Sequence, residues 1–403
     1  MRSFRHGLAM LFLAVSWDAA AQCDPAHVQV RSNAGSVVVT PSGDDDSVNL
    51  TCALEVVRDR NLARVRLEAG EYLISDVSIS GYEGIWEGAG KGRTRLRVLE
   101  GARACQADPP ESVSLPAALR FSGGSPTLRY MSIYSGNACG TDRTFAQLLH
   151  FTSETRNDGA CDDRGVINAT VDRVDFYAGA DNNAGAGGTA ILIAPEGRNS
   201  VGCRDKLLGT FSMRFSRITG FIVGLELSMH SGARVDVRQS RFVDNVFGVR
   251  IDRAFADASF SFNNFETRLV PPGQEPSEEN ASYAIVTSGE EPTIDGTTRV
   301  SVTDNTLAGE GWCVPFFGTP VVAVMTGNHF KGCGVFGRVE TGFLANNLIS
   351  GSAFFGLGNW IIDGNEPAGG SDAFRIDLLG GSTVGEGQAR YVVSDGGGNF
   401  YAQ

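Results

Sequence analysis

A polar residue, one variable residue and an apolar residue recur about every twenty positions through the second half of this 403-residue chain. The copies are Ser216-Arg217-Ile218, Ser240-Arg241-Phe242, Asn263-Asn264-Phe265, Asn305-Thr306-Leu307, Asn328-His329-Phe330 and Asn346-Asn347-Leu348. Their first residues lie 24, 23, 42, 23 and 18 positions apart, and the interval of 42 reads as two units. A fixed period of this size marks a solenoid. One unit is too small to bury its own apolar face, so units stack and share a continuous core.

The chemistry within a unit follows from the residue types. Asn tolerates left-handed backbone and bonds to nearby amides, so each coil is expected to turn at its polar anchor. Stacked Asn side chains can also bond to the coils above and below. The next residue then points out and the one after points in, which puts Phe242, Phe265, Phe330 and Leu348 in one internal column. A second alternation, Gly224-Leu225-Glu226-Leu227-Ser228, returns as Gly248-Val249-Arg250-Ile251-Asp252. Its leucines, Val249 and Ile251 face inward, and Glu226 and Arg250 face outward on neighbouring coils. An antiparallel sandwich would need hairpin turns every ~8–12 residues. Asp295-Gly296 and Asp363-Gly364 are such pairs, but the long period does not follow from that fold.

Residues 1–21 read as a secretory signal peptide. Arg2, Arg5 and His6 precede an apolar run from Leu8 to Val15, and Ala19-Ala20-Ala21 offers a cleavage site. The run is too short to span a bilayer. A secreted or periplasmic location is therefore expected, with no membrane span. Residues 22–63 read as an N-terminal segment with a capping helix: Leu50, Ala53, Leu54 and Val57 fall on one helical face behind Asp44-Asp45-Asp46-Ser47. Asp46 or Ser47 would cap that helix. The same three aspartates form a candidate calcium site, and calcium is the one cofactor the sequence suggests. Residues 64–403 read as the solenoid, with insertions near 101–117, 154–165, 179–205 and 268–282.

Three stretches carry a resemblance. Gly43-Asp44-Asp45-Asp46-Ser47, Leu67-Glu68-Ala69-Gly70-Glu71-Tyr72-Leu73-Ile74 and Gly88-Ala89-Gly90-Lys91-Gly92-Arg93-Thr94 occur in that order. Together they resemble the opening of pectate-lyase-like right-handed parallel β-helix proteins, over about residues 36–98. The resemblance implies an all-β, right-handed parallel β-helix solenoid and a general tie to polysaccharides. It transfers no catalytic residue. The Gly-His-Gly and Arg-x-Lys of galacturonan hydrolases are absent, as are the Arg-x-Pro-x-x-Arg and Trp-x-Asp-His of pectate lyases and the Asp-Pro-His of alginate epimerases. Gly88 to Thr94 is not a phosphate loop, because Gly92 follows Lys91 where Ser or Thr is required; it reads as a turn.

Eight cysteines in an exported chain imply disulfides. Cys313 and Cys333 are one unit apart, within the reach of a disulfide between stacked strands. Cys161 with Cys203, Cys105 with Cys139 and Cys23 with Cys52 complete the expected pairing. The formal charge of −12, about −13 without residues 1–21, argues against nucleic acid as a partner. No trimerising segment is legible, and a monomer is expected.

Outward positions on adjacent coils bring Arg214, Arg217, Arg238 and Arg241 into one expected patch, with Arg234 and Asp236 beside it and His230 just upstream. Guanidinium groups match carboxylates in a bidentate way, so an acidic polysaccharide is the expected partner. In a lyase-type reaction the neutralised uronate has an acidic C5 proton, and His230, Arg238 or Arg241 would remove it. The competing reading is a non-catalytic glycan-binding scaffold whose arginines pair with Asp236, Asp244, Glu226 and Asp252. Asp172 with Asp175, and Asp162 with Asp163, are the carboxylate pairs a glycosidase would need. Trp312, Trp360, Tyr134 and Tyr177 are candidates for stacking on sugar rings, and His150 is expected to be packed.

Overall fold

The computed structural model describes residues 23–102, 104, 116–136, 147–153, 164–179, 188–195, 206–228, 234–252, 257–267, 282–288, 298–317, 321–351, 353–368, 375–395, 397 and 399–401. The expected signal peptide and most of the four insertions lie outside them. So do His230, Asp162, Asp163, Cys105, Cys139, Cys161 and Cys203.

One coil shows how the chain winds. Arg234–Arg238 lies on a first sheet, Arg241–Asn245 on a second and Phe247–Asp252 on a third. The next coil repeats the path with Asp257–Ser261, Asn264–Thr267 and Tyr283–Ser288. Each strand pairs in parallel and in register with its counterpart, as in Val237 with Phe260, Phe242 with Phe265 and Val249 with Ile285. The same parallel pairing runs from Ser36–Val39, which pairs with Arg64–Leu67, to Phe400–Tyr401. Val28–Arg31 pairs antiparallel with Ser36–Val39 and precedes this winding. The result is an all-β, right-handed parallel β-helix.

The inward column of the second sheet is Ile218, Phe242, Phe265, Leu307, Phe330 and Ile349, each at most 4% exposed. Phe242 and Phe265 stack with ring centres 4.7 Å apart. Leu225, Leu227, Val249 and Ile251 are buried on the third sheet, as their alternation requires. Leu348 was expected in the first of these columns and is instead 38% exposed. The last triplet is shifted by one residue: Asn347 is the anchor, and Ile349 is the inward residue.

The anchors form a buried hydrogen-bond ladder parallel to the helix axis. The backbone N–H of Ser216 donates to Ser240 Oγ, and that of Ser240 to Asn263 Oδ1. The series continues from Asn263 to Asn305, Asn328, Asn347, Asn365 and Gln388, with distances of 2.8–3.2 Å. Each Asn amide also donates to a main-chain carbonyl on the preceding coil, as Asn328 Nδ2 does to Val302 at 2.8 Å. Asn therefore serves here because one short side chain both accepts and donates, so it satisfies backbone groups that the corner would otherwise leave buried and unpaired.

Two expectations about this ladder are corrected. The left-handed residue is the one before the anchor, not the anchor: Phe215, Gln239, Phe262, Asp304 and Asn346 have φ of 50–56°. Gly327, with φ of 68°, fills the same place, where an added Cβ would meet Asp304 Oδ1 at 2.2 Å. The 42-residue interval is one coil, not two. Asn263 bonds directly to Asn305, and Asn264–Thr267 pairs directly with the strand at Thr306; the extra length is insertion. The 43-residue echo between Met131 and Val174 is likewise a step between adjacent coils.

The helix Ser47–Asp59 packs on Ser36–Val39, Arg64–Leu67 and Val77–Ser80. Leu50, Ala53, Leu54 and Val57 are its buried face. Asp46 precedes the helix, but its carboxylate accepts from the Ser42 and Leu73 N–H groups, so it ties two loops to the helix start. Asp45 Oδ1 takes the Ser47 N–H at 2.9 Å. Disulfides join Cys23 to Cys52, and Cys313 to Cys333 on adjacent coils, with Cα separations of 5.6 and 5.2 Å.

Candidate functional site

The four arginines gather at the corner between the first and second sheets. Arg214 lies in register with Arg238 on the first sheet, and Arg217 with Arg241 on the second. The left-handed residues Phe215 and Gln239 turn the chain between them. Because the sharp turn comes directly after Arg214 and Arg238, both columns face the same edge of the coil.

Their partners match the expectation in part. Arg238 Nε binds Asp236 Oδ1 at 2.7 Å, as expected, but Arg214 pairs with Asp172 at 3.4 Å and Arg241 with Glu266 at 3.2 Å. Glu226 instead accepts the Thr189 hydroxyl. Arg234, 78% exposed, stands 3.8 Å from Asp257. Arg217 differs from the rest: its Nε donates to Thr219 Oγ1 at 2.9 Å, and its guanidinium lies 6.0 Å from the centre of the Tyr177 ring. The Arg238–Asp236 and Arg241–Glu266 pairs are exposed on both sides and each is worth about 0–1 kcal/mol. These two arginines exchange a protein carboxylate for a ligand's anion at little cost, whereas the partner of Arg214 is buried.

The preceding coils extend the corner. Asp172 has a side chain only 7% exposed, held by Arg173 and Arg214. The Arg173 guanidinium lies 5.4 Å from the Tyr130 ring centre and 4.9 Å from that of Phe215, and it donates to the Tyr130 hydroxyl. Tyr130, Arg173 and Phe215 all have left-handed backbone, with φ of 57°, 55° and 52°, and these contacts hold the three corner side chains together. Asp175 is in register with Arg217. Lys91 Nζ, which also donates to the Phe215 carbonyl, lies 2.6 Å from Asp175 Oδ1.

Tyr134 and Tyr177 stack on adjacent coils with ring centres 4.9 Å apart. The Tyr177 hydroxyl donates to Asp175 Oδ2 at 3.4 Å. Partial burial, then the charge of Asp175, raises the Tyr177 phenol above its ordinary value, and Arg217 opposes this only in part. The phenol thus keeps its proton at neutral pH. The corner combines guanidinium groups, a buried carboxylate, a lysine–carboxylate pair and a half-buried tyrosine pair. It can hold an anionic ring and can give or take a proton beside it.

Lys91 was missed because its segment reads only as a turn. Gly88 to Thr94 is indeed a turn, and its lysine reaches across to a coil 84 positions further on. Asp172, Asp175, Tyr134 and Tyr177 were legible as residue types. The usable signal was the 43-residue echo, which stacks Tyr134 on Tyr177 once it is taken as one coil. His150 is fully buried on the third sheet, bonded to the Ala194 carbonyl, and pushed down to about 3 by burial and the Arg120 charge. His329 is half-buried, and desolvation and Lys331 lower it. Trp360 is buried, and Trp312 is partly exposed on the far side of the coil. Among the described residues no group of three or more His, Cys, Asp or Glu forms a metal cluster, and no helix is long and apolar enough to cross a membrane.

No protein-family model matches the sequence, and no curated protein matches it. Solved structures do. The A-module of mannuronan C-5 epimerase AlgE4 from Azotobacter vinelandii is 15% identical with a TM-score of 0.51, covering 85% of this chain and 96% of that one. The A-module of the AlgE6 epimerase from the same organism is 14% identical with a TM-score of 0.48, covering 89% and 96%. The surface protein and adhesin PfbA of Streptococcus pneumoniae is 11% identical with a TM-score of 0.40, covering 90% and 97%. At this identity the likeness shows the fold.

Proposed function

We propose that this chain is an exported β-helix protein that binds an acidic polysaccharide along the corner between its first and second sheets and cleaves it by a lyase-type reaction. The observation that carries this reading is the in-register array of Arg214, Arg217, Arg238 and Arg241 beside Asp175, Lys91 and the Tyr134–Tyr177 stack. The AlgE4 module, whose name places its action on mannuronan, supports a carbohydrate ligand. The helix Ser47–Asp59 serves as the N-terminal cap of the solenoid, and residues 1–21 as its export signal.

In this reading the arginines neutralise a uronate carboxylate, which acidifies the adjacent C5 proton. A base removes that proton, its electron pair forms the C4–C5 double bond, and the C4–O bond breaks. Arg238 and Arg241 neutralise rather than abstract, because guanidinium stays protonated and each is ion-paired. His230 remains the proposed base. Tyr177, a phenol protonated at neutral pH, returns a proton to the leaving oxygen.

The second reading, a non-catalytic glycan-binding scaffold, is favoured by the protein carboxylates already bound to three of the four arginines. A panel of uronate polymers, with and without calcium, separates the two. Formation of unsaturated product, lost in Arg238→Ala/Arg241→Ala, establishes the lyase. Retention on an acidic glycan without product establishes the scaffold, and neither outcome on any polymer rejects an acidic-polysaccharide site.

A further inference from the structure

The outer face of the third sheet carries a line of aromatic rings that the arginine corner does not use. On this face Pro315, Phe336 and Phe355 lie in register on three successive coils. Ring contacts extend the line in both directions. Phe247 meets Tyr283 at 5.7 Å, Tyr283 meets Phe317 at 6.2 Å, Phe317 meets Phe336 at 5.7 Å, and Phe336 stacks on Phe355 at 5.3 Å and 16°. Trp312 flanks it, 5.3 Å from Phe336. The inward aromatics Phe242 and Phe265 are at most 1% exposed, whereas all six rings of this line are partly open to water. Strand alternation ordinarily places polar residues at outward positions, and a run of rings there marks a contact surface.

We infer that this line is a second binding site, for an uncharged polysaccharide chain lying parallel to the helix axis. Three features choose that occupant. The rings advance about one per coil, so an extended glycan, itself a linear repeat, can lay successive pyranose faces on successive rings with its hydroxyl edges in water. No ring in the line carries a formal charge, and Asp377, in register after Phe355, is neutralised by Arg375 at 2.7 Å. The line therefore complements neutral sugars.

The area is also too small for a stable protein partner. Phe317, the most exposed, is 38% exposed. At about 200 Å² per aromatic side chain, the six expose no more than about 450 Å², against the roughly 800 Å² per partner of a standard interface. Because a coil runs from the first sheet to the second and then the third, this face lies across the triangular section from the arginine corner. Two faces on one rigid rod would hold a neutral matrix polymer on one side and an acidic chain on the other.

The test uses the full exported chain. Retention is measured on insoluble cellulose, β-1,3-glucan and mannan, and the matching soluble hexasaccharides are titrated while tryptophan fluorescence is followed. At least one neutral polymer is expected to retain the protein, and its hexasaccharide to change the Trp312 signal, which Trp312→Phe removes. Phe336→Ala/Phe355→Ala should weaken retention at least tenfold, and Arg238→Ala/Arg241→Ala should leave it intact. Phe317→Ser, at an exposed position, should weaken it several-fold without disturbing the circular dichroism. The inference is overturned by the absence of retention on every neutral polymer, by wild-type retention in folded Phe336→Ala/Phe355→Ala and Phe317→Ser, or by equal loss in the arginine variant. A dimer that these phenylalanine changes dissociate would overturn it too.

Discussion

Replacing Asn328 by Ala tests the buried ladder where its bonds are most numerous. Asn328 is fully buried. Its Oδ1 accepts the Asn305 N–H at 3.0 Å, and its Nδ2 donates to the Val302 carbonyl at 2.8 Å. The Asn305 N–H would be left buried and unpaired, and the Val302 carbonyl would lose one bond while keeping its place in the strand ladder. The other contacts are less costly to lose. Asn305 Nδ2 keeps Phe260 and Thr303 as acceptors, and Asn347 Oδ1 keeps the Asn328 N–H. At about 1–3 kcal/mol for the unsatisfied N–H and about 1 kcal/mol for the lost bond to the carbonyl, the expected loss is about 3 kcal/mol. That is a large fraction of the roughly 5–15 kcal/mol that holds a typical protein folded. Urea unfolding gives the loss, with hydrogen exchange alongside because stacked coils need not unfold as one unit. Protection should fall first in Thr298–Thr303 and Val321–Thr326. Asn264→Ala is the control, since its amide meets only the surface carboxylate of Glu266. A difference between the two variants of less than about 0.5 kcal/mol would refute the reasoning, because surface changes alone reach that size.

Ser240→Asn should extend the amide ladder by one coil, with the new Nδ2 reaching the Met213 carbonyl, and raise stability by about 1 kcal/mol; a lower urea midpoint would show that the corner lacks room. Cys313→Ala/Cys333→Ala opens a loop of 20 residues, and the chain-entropy model predicts a loss of about 3 kcal/mol, read from the same unfolding curves. His150 has its folded pKa depressed to about 3 from 6.5. The unfolded chain therefore takes up a proton in that window and the folded chain does not, so stability falls as pH drops from 6.5 to 3, at up to about 1.4 kcal/mol per unit. His150→Leu should flatten that acid limb, and an unchanged slope would refute the assignment. Lys91→Met should weaken binding of the acidic polymer while leaving the fold intact, because its ammonium is the partner of Asp175; unchanged binding would remove Lys91 from the site.

Much of the fold was legible because burial imposes a period. Phe242, Phe265 and Phe330 had to share a face, and the polar anchors ahead of them had to bond to one another, whatever the loops did. The arginine register followed from the same spacing. Local chemistry also sufficed for Cys313 with Cys333, one coil apart, and for the buried helical face of Leu50, Ala53, Leu54 and Val57.

Other features were decided only by the folded chain. The shift from Asn346 to Asn347 is invisible in an Asn-Asn pair, because either residue satisfies the pattern. Only the requirement that Ile349 rather than Leu348 fill the core selects between them. Whether 42 residues make one coil or two depends on which strand Asn264–Thr267 pairs with. Outward residues answer to no such constraint. Lys91 meets Asp175, and Phe317 meets Phe336, because separate coils and turns converge in space, and solvent enforces no period on the residues it touches. The sequence by itself determined the stacked winding, through the need to bury one face of every coil, and with it the arginine register; the tertiary structure alone decided which outward side chains from separate turns and strands stand together, as Lys91 does with Asp175 and Phe317 with Phe336.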